Sequence, residues 1–337
     1  MGFMNPGQGS FTIQPEGSKD CKIAIIGEAA GSYEVNARRP FVGPSGTILE
    51  TCLHSAGLIR SDVYMTTFIK ERVPGNYLGA WYNEKSKKLT EKGHAAAKLL
   101  SEELQDLKAN VLMPMGNAAK CALLGGGNII KDRGYAAPAI LEGIVGRKVI
   151  PTLHPSASMQ GKYIYRYYIT HDFKKAKVEC EYPELRFPER VLTYRMSFAE
   201  AIKWLEFYEH EPIFAFDIEV INYQVSCISF ARSPSEAISI PIYQQWSESE
   251  EIEIWRRLAR VLENPDSIKV LQNGIFDCWF LAMQCNIIVK GEIRDTMIAH
   301  HMMYPDMLKG LGFLGSIYTF ERNWKSEVNW NDSKKES

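Results

Sequence analysis

The sequence predicts an α/β fold in two domains: an α/β/α sandwich on a parallel sheet, followed by a mixed α/β domain. Three observations carry that prediction. The chain has 337 residues, enough for two domains that each bury a core. Short apolar runs alternate with helical stretches, the pattern of strands covered on both faces. Between residues 174 and 190 the composition turns charged, and Pro183 and Pro188 interrupt any periodicity, which marks a linker.

In the first domain, residues 19–177, strands are expected at Lys22–Ile26, Val63–Thr67, Val111–Met115 and Lys148–Thr152, with helices between them. Residues 178–190 form the expected linker. The second domain, 191–337, reads as strands Ile213–Val220, Val225–Phe230 and Ala237–Pro241, helix Glu248–Leu262, strand Ile268–Gln272 and helix Gly274–Cys285. Three leading strands followed by α/β alternation suit a ribonuclease-H-like mixed sheet. Residues 1–18 are rich in Gly, Pro, Gln and Ser without an apolar core, so they are expected to be a flexible lead and not a signal peptide.

Composition narrows the function classes. Net charge is −1, so no global basic field announces nucleic acid, and any DNA contact must come from local patches. No stretch is long enough to span a membrane. The seven cysteines contain no C-x-x-C pair, which argues against a disulfide framework or a zinc site and fits a reducing cytoplasm, that of a bacterial host if the source is viral.

The most informative chemistry lies in the second domain. Asp217 and Glu219, in the apolar run Ile213-Phe-Ala-Phe-Asp-Ile-Glu219, leave one face of a strand together because side chains alternate. Val270-Leu-Gln-Asn273-Gly-Ile-Phe-Asp277 then ends a strand and opens a helix that brings Asp277 back over the strand ends. Burying carboxylates in apolar surroundings is costly without a compensating partner, and a hard cation held by oxygen ligands, Mg²⁺ or Mn²⁺, is the economical one. Asp-x-Glu alone is common at strand ends. The Asn273-to-Asp277 element, with Arg294-Asp295-Thr296 through Asp306 and Lys309-Gly-Leu-Gly-Phe-Leu-Gly-Ser-Ile-Tyr318-Thr319, resembles the DEDD-type 3′-5′ exonucleases, in particular the proofreading domain of viral family A DNA polymerases, over Glu189 to Thr319. The resemblance implies catalytic, metal-binding roles for Asp217, Glu219 and Asp277, a nucleotide-contacting role for Asn273, and single-stranded DNA 3′ ends as partner.

The first domain carries another ordered set. Gly27-Glu28-Ala29-Ala30-Gly31 follows the first strand; then come Arg39-Pro40-Phe41-Val42-Gly43-Pro44-Ser45-Gly46, Met115-Gly116-Asn117, Lys131-Asp132-Arg133-Gly134 and Leu153-His154-Pro155-Ser156. Singly, Phe41 could be core, His154 a structural hydrogen-bonder and Glu28 a helix cap. As a set they resemble the uracil-DNA glycosylase superfamily, closest to its iron-sulfur, thermophile-type branch, over Cys21 to Lys175. The resemblance implies that Phe41 stacks on a flipped base, that Gly27 and Thr67 lie in the base pocket, that His154 donates to the base oxygen gaining charge, and that Glu28 positions water and favours a cationic sugar.

Both halves depart from their patterns. Thr67 stands where the glycosylases carry an Asn that reads the base, so weak discrimination among pyrimidines is expected. Lys70-Glu71-Arg72 stands for Lys-Cys-Arg and the early C-x-x-C is missing, so no iron-sulfur cluster is expected. After Asp277 no Tyr-x-x-x-Asp supplies a fourth carboxylate, and the second domain is expected to lack its last helix. The chain thus reads as the front part of a viral family A polymerase, with proofreading and base-excision domains and a polymerase polypeptide as the possible source of the missing helix. The alternative is a DNA-binding accessory module that has lost one or both activities.

Overall fold

The computed structural model describes residues 12–159 and 161–321. They form two compact units: one holds the described residues up to Leu185 and from Gly312 onward, the other Arg186–Leu311. Among the described residues no helix is long and apolar enough to cross a membrane.

The first unit runs β1 (Ile23–Ala30), α1 (Ser32–Ala37), α2 (Pro44–Ser55), β2 (Val63–Arg72), the hairpin β3 (Tyr82–Asn83) and β4 (Lys88–Leu89), α3 (Glu91–Gln105), β5 (Val111–Pro114), α4 (Asn117–Leu124), α5 (Ile129–Asp132), β6 (Ala137–Pro138), β7 (Lys148–Val149) and α6 (Tyr165–Glu179). Its sheet has the order β2-β1-β5-β7-β6, with every pairing parallel except β6 against β7. Strand β1 reads Ile-Ala-Ile-Ile and is buried on both faces, as a central parallel strand must be. Ala24, Ile26 and Leu112 pack under α3 and α4 through Ala97, Leu100, Leu104, Ala119 and Leu123. On the opposite face α2 packs against α6. The four expected strands are all present, and β7 is the most abbreviated of them.

The second unit runs β8 (Val191–Thr193), α7 (Phe198–Tyr208), β9 (Ile213–Ile221), β10 (Gln224–Ser233), β11 (Glu236–Pro241), α8 (Glu248–Leu262), β12 (Ile268–Leu271), α9 (Ile275–Cys285), β13 (Ile293–Asp295) and α10 (Thr296–Met303). Its sheet is mixed, in the order β13-β12-β9-β10-β11-β8, with β9, β10 and β11 antiparallel and the outer pairings parallel. The core is aromatic: Tyr208, Phe214, Phe216 and Phe230 meet with ring centroids 5.0 to 6.4 Å apart. Ser197 and Ser247 each close a capping box with Glu200 and Glu250, which fixes the starts of α7 and α8. The expected helix Glu248–Leu262 is observed with those bounds.

One further helix, α11 (Leu311–Tyr318), packs with the first unit from Gly312 on, whereas sequence alone assigns all of 191–337 to the second. Its apolar side supplies the reason: Phe313, Leu314 and Ile317 are buried, with Phe313 5.0 Å from the Tyr168 ring. Beside it lies a fully buried ion pair. Arg133 Nε donates to Asp172 Oδ2 at 2.9 Å, Thr152 Oγ1 donates to the same oxygen at 2.6 Å, and Arg133 Nη1 reaches Ser316 Oγ at 3.4 Å. Lys175 donates to the carbonyls of Gly134 and Ser316. The first unit also extends past residue 177, since α6 ends at Glu179 and Lys148 Nζ binds Glu179 Oε2 at 2.7 Å and the Tyr182 carbonyl at 2.9 Å.

Asp172→Ala leaves the Arg133 guanidinium buried without its counter-charge, and removing one partner of such a pair costs about 3–5 kcal/mol. Equilibrium denaturation of the variant is expected to show the first unit destabilised by that amount, its transition moved to lower denaturant, with the second unit's transition unmoved.

Candidate functional site

In the first unit the ends of the parallel strands frame a cavity of about 230 Å³ lined by Glu28, Glu34, Phe41, Thr67, Asn76 and His154, among others. Open α/β sheets place ligands at the carboxyl ends of their strands, and this cavity lies there: Glu28 near the end of β1, Thr67 in β2, His154 after β7. Gly27 pairs with Thr67 across the β1–β2 ladder. A Cβ on Gly27 would sit 2.8 Å from Phe41 Cζ, so the glycine makes room for the ring.

Phe41 adopts φ +52, a left-handed conformation that is unfavourable for an aromatic residue. Two anchors hold it. Arg60 donates from Nη1 to the Phe41 carbonyl at 3.0 Å and from Nη2 to the Pro40 carbonyl at 2.7 Å. On the other side Glu34 Oε1 accepts from the backbone N–H groups of Val42 at 3.0 Å and Gly43 at 2.9 Å. Arg60 is in turn held by Glu16, at 2.7 Å, and Glu50, at 3.0 Å. Its hydrogen bond is the main reason that the Glu16 carboxyl is lowered to about 2. The result is a ring fixed 6.2 Å from the His154 ring, the planes inclined by 32°.

His154 receives the Ser156 backbone N–H on Nδ1 at 3.3 Å, with Ser156 Oγ 2.7 Å from the same nitrogen. Burial lowers its pKa to about 4, against a smaller opposing pull from Glu34, so the ring is neutral near pH 7. A neutral imidazole that accepts at Nδ1 carries its proton at Nε2, which leaves a hydrogen-bond donor for whatever occupies the cavity. Glu28 accepts the Ala118 N–H on Oε1 at 2.9 Å. Burial pushes its pKa up to about 7, more than that hydrogen bond restrains it. Gly116, at φ +96, has to lack a side chain: a Cβ there would come 2.5 Å from the Glu28 carboxyl. Thr67 is buried, and its Oγ1 donates to the Ile69 carbonyl at 2.9 Å.

Of the residues expected in a base pocket, Glu28, Phe41, Thr67 and His154 line this one cavity, and Gly27 shapes it. Asn273 lies in the second unit. It takes φ +61 in the turn before α9, its N–H donating to Asp295 Oδ1 at 3.2 Å. Asp295 also caps α10 by accepting from Met297 N at 2.8 Å and Ile298 N at 3.2 Å. Sequence reasoning passed over Glu34 and Arg60. Glu34 has a weak signal as an acidic residue in the first turn after a glycine-rich loop, and Arg60 has none.

In the second unit β9 alternates as expected, with Phe214, Phe216 and Ile218 buried and Asp217 and Glu219 exposed on the other side. Parallel pairing of β12 with β9 is recorded up to Val270 opposite Ala215, and beyond it the Ile218 N–H donates to Asp277 Oδ1 at 3.0 Å. Asp277 is only 5% exposed. Burial, reinforced by the nearby Asp217 and Glu219 charges, raises its pKa, while the Ile218 bond opposes the shift. All three groups are hard oxygen donors of the kind a divalent cation takes. The charges of Asp217 and Glu219 act on Asp277, and among the described residues no three His, Cys, Asp or Glu side chains stand as a ready-made metal-binding group. One Asp277 oxygen is committed to the Ile218 N–H.

Residues 14–176 match the family model of the uracil DNA glycosylase superfamily, and residues 197–323 match that of a 3′-5′ exonuclease. A type-4 uracil-DNA glycosylase of Thermotoga maritima is 29% identical over 163 residues, covering 48% of this chain and 79% of that protein. A DNA polymerase of Bacillus phage SP01 is 23% identical over 328 residues, covering 87% of this chain and 34% of the polymerase, so the chain spans about a third of that relative. Among solved structures, the Aedes aegypti Nibbler EXO domain overlaps 43% of this chain and 76% of its own at 16% identity and a TM-score of 0.34. Exonuclease domains of this family typically use divalent metals. The chain joins a uracil-DNA glycosylase superfamily domain to a 3′-5′ exonuclease domain and is homologous to a phage DNA polymerase.

Proposed function

We propose that the first unit excises a base flipped out of DNA, and that the second removes nucleotides from DNA 3′ ends with Mg²⁺ or Mn²⁺ bound by Asp217, Glu219 and Asp277. The observation that carries the first part is one cavity lined by a fixed aromatic ring, a neutral imidazole and a desolvated carboxyl group. Phe41 offers a stacking face. His154 Nε2–H donates to the base oxygen on which charge collects as the glycosidic bond lengthens. Glu28, once ionised, positions water and favours the oxocarbenium-like sugar.

In the second unit a bound ion would polarise the phosphodiester and activate water. Asp217 and Glu219 would hold it from the strand and Asp277 from the helix. Two-metal cleavage needs a further carboxylate, which one presented on a Tyr-x-x-x-Asp helix would supply. A second reading, a DNA-binding module without chemistry, is favoured by the Thr67 hydroxyl being committed to Ile69. Retained DNA binding with no base released from any substrate selects that reading.

Two outcomes follow from the electrostatics. With Glu28 near 7 and His154 near 4, base release is expected to rise with pH to a plateau, midpoint about 7, with no loss down to pH 5 attributable to the imidazole. Glu28→Gln abolishes release. It also changes stability with a defined sign. The folded carboxyl keeps its proton up to about 7, whereas the unfolded one releases it in the ordinary carboxylate range, so stability falls as pH rises between those limits. The Gln variant escapes that fall and melts higher than the parent at pH 8. A flat pH profile, or a Gln variant that melts lower at pH 8, contradicts the assignment.

For the second unit, Mn²⁺ at about 100 times its Kd is expected to stabilise the fold by about 2.7 kcal/mol. Asp217→Ala removes that shift. Digestion of single-stranded DNA from its 3′ end is expected to be weak until the Tyr-x-x-x-Asp segment is supplied, and strong digestion by the chain alone would overturn this account.

A further inference from the structure

Thr67 has no hydrogen-bond donor left for a ligand. Its hydroxyl proton goes to the Ile69 carbonyl at 2.9 Å, so only oxygen lone pairs face outward from that position. A base with alternating acceptors and a ring N–H needs two donors and an acceptor from its pocket, and His154 supplies one donor. Among the described residues lining the cavity one carries a side-chain amide, Asn76.

Asn76 ends a tight turn, Pro74-Gly75-Asn76, in which Gly75 has φ +62 and Asn76 φ +55. The turn is anchored at Val73, which is buried and whose carbonyl accepts the Asn76 N–H at 3.1 Å. Asn tolerates the left-handed conformation, so the backbone alone would explain an Asn here, as it would a Gly. The turn does not explain why Asn76, an exposed residue, borders the same cavity as Phe41, Thr67 and His154.

We propose that the Asn76 amide is the base-reading group of this cavity, taking the part that Thr67 cannot play, and that the occupant it selects is a 2,4-dioxopyrimidine. The assignment rests on the base-excision reading above. His154 Nε2–H donates to one ring carbonyl, Thr67 Oγ accepts the ring N–H, and Asn76 Nδ2–H donates to the second carbonyl. Cytosine, which presents an amino group at that last position, meets a donor with a donor and is rejected. Asn76 reaches the cavity from the segment after β2 instead of from the strand itself, so the reading group lies nine residues downstream of Thr67.

The test uses the whole chain and DNA carrying a single 2′-fluoro-2′-deoxyuridine, whose glycosidic bond resists cleavage, beside the matching cytosine analogue and unmodified DNA. Affinity is read by fluorescence anisotropy, and base release from ordinary deoxyuridine is read in parallel. Asn76→Ala and Asn76→Gly are expected to lower the preference for uracil over cytosine about tenfold, the scale of one lost hydrogen bond to a buried partner. The Gly variant keeps the left-handed turn, so its loss reports the amide and not the backbone. Asn76→Asp replaces the donor by acceptors and is expected to shift preference toward cytosine. If the Asn76 variants keep the parent's preference while Phe41→Ala and His154→Ala reduce it, the cavity binds bases and Asn76 does not read them. If the parent itself does not distinguish uracil-bearing from unmodified DNA, the base-excision reading fails, and the assignment falls with it.

Discussion

A carboxyl group kept out of water beside a central strand is the constraint on which each unit is arranged. In the first it is Glu28, whose pKa burial pushes up to about 7; in the second it is Asp277, raised by burial and by two neighbouring carboxylates. Desolvating such a group is unfavourable, and each unit limits the cost with a backbone N–H: Ala118 for Glu28, Ile218 for Asp277. Those N–H groups exist where a strand or helix begins or runs out, which is why the carboxyls sit at element ends. Gly116 is bare because the Glu28 carboxyl occupies the space a side chain would need.

Around Glu28 the remaining polar groups serve rigidity. Arg60 and Glu34 together hold the backbone of a single left-handed phenylalanine, and Glu16 and Glu50 hold Arg60. A stacking ring that must meet a base at a set distance from His154 gains from this, because strain persists only where the surroundings overdetermine the geometry. The second unit spends its hydrogen bonds otherwise. Asp295 ties the turn before α9 to the start of α10, leaving Asp217 and Glu219 exposed on the open side of β9.

Much of both units was legible beforehand. The alternation in Ile213–Ile221 specified which side of β9 bears the carboxylates, since period two admits no other outcome once Phe214, Phe216 and Ile218 are buried. The capping box Ser247 with Glu250 set the start of α8. Glu28, Phe41, Thr67 and His154 were found as an ordered set and line one cavity. Arg60 was not legible, because an arginine before a strand looks like any solvated charge until the Pro40 and Phe41 carbonyls are brought beside it. Arg133 belongs to the run Lys131-Asp132-Arg133-Gly134, yet its partner Asp172 lies on α6 and could not be paired with it from spacing.

By itself the sequence determined the two α/β units, their strand and helix periods, and the identities of the carboxylates, because these follow from local alternation and apolar patterning. Tertiary structure decided the rest. It placed α11 with the first unit, where Phe313 and Ile317 find apolar surface, although the chain reaches it only after the second. It committed the Thr67 hydroxyl to Ile69 and set Asn76 in the cavity wall. It also brought Asp277, from α9, within reach of the Asp217 and Glu219 charges on β9. The physical reason is the same each time: burial, hydrogen-bond partnership and repulsion between like charges depend on distances through space, and residues far apart in the chain acquire those distances only when it folds.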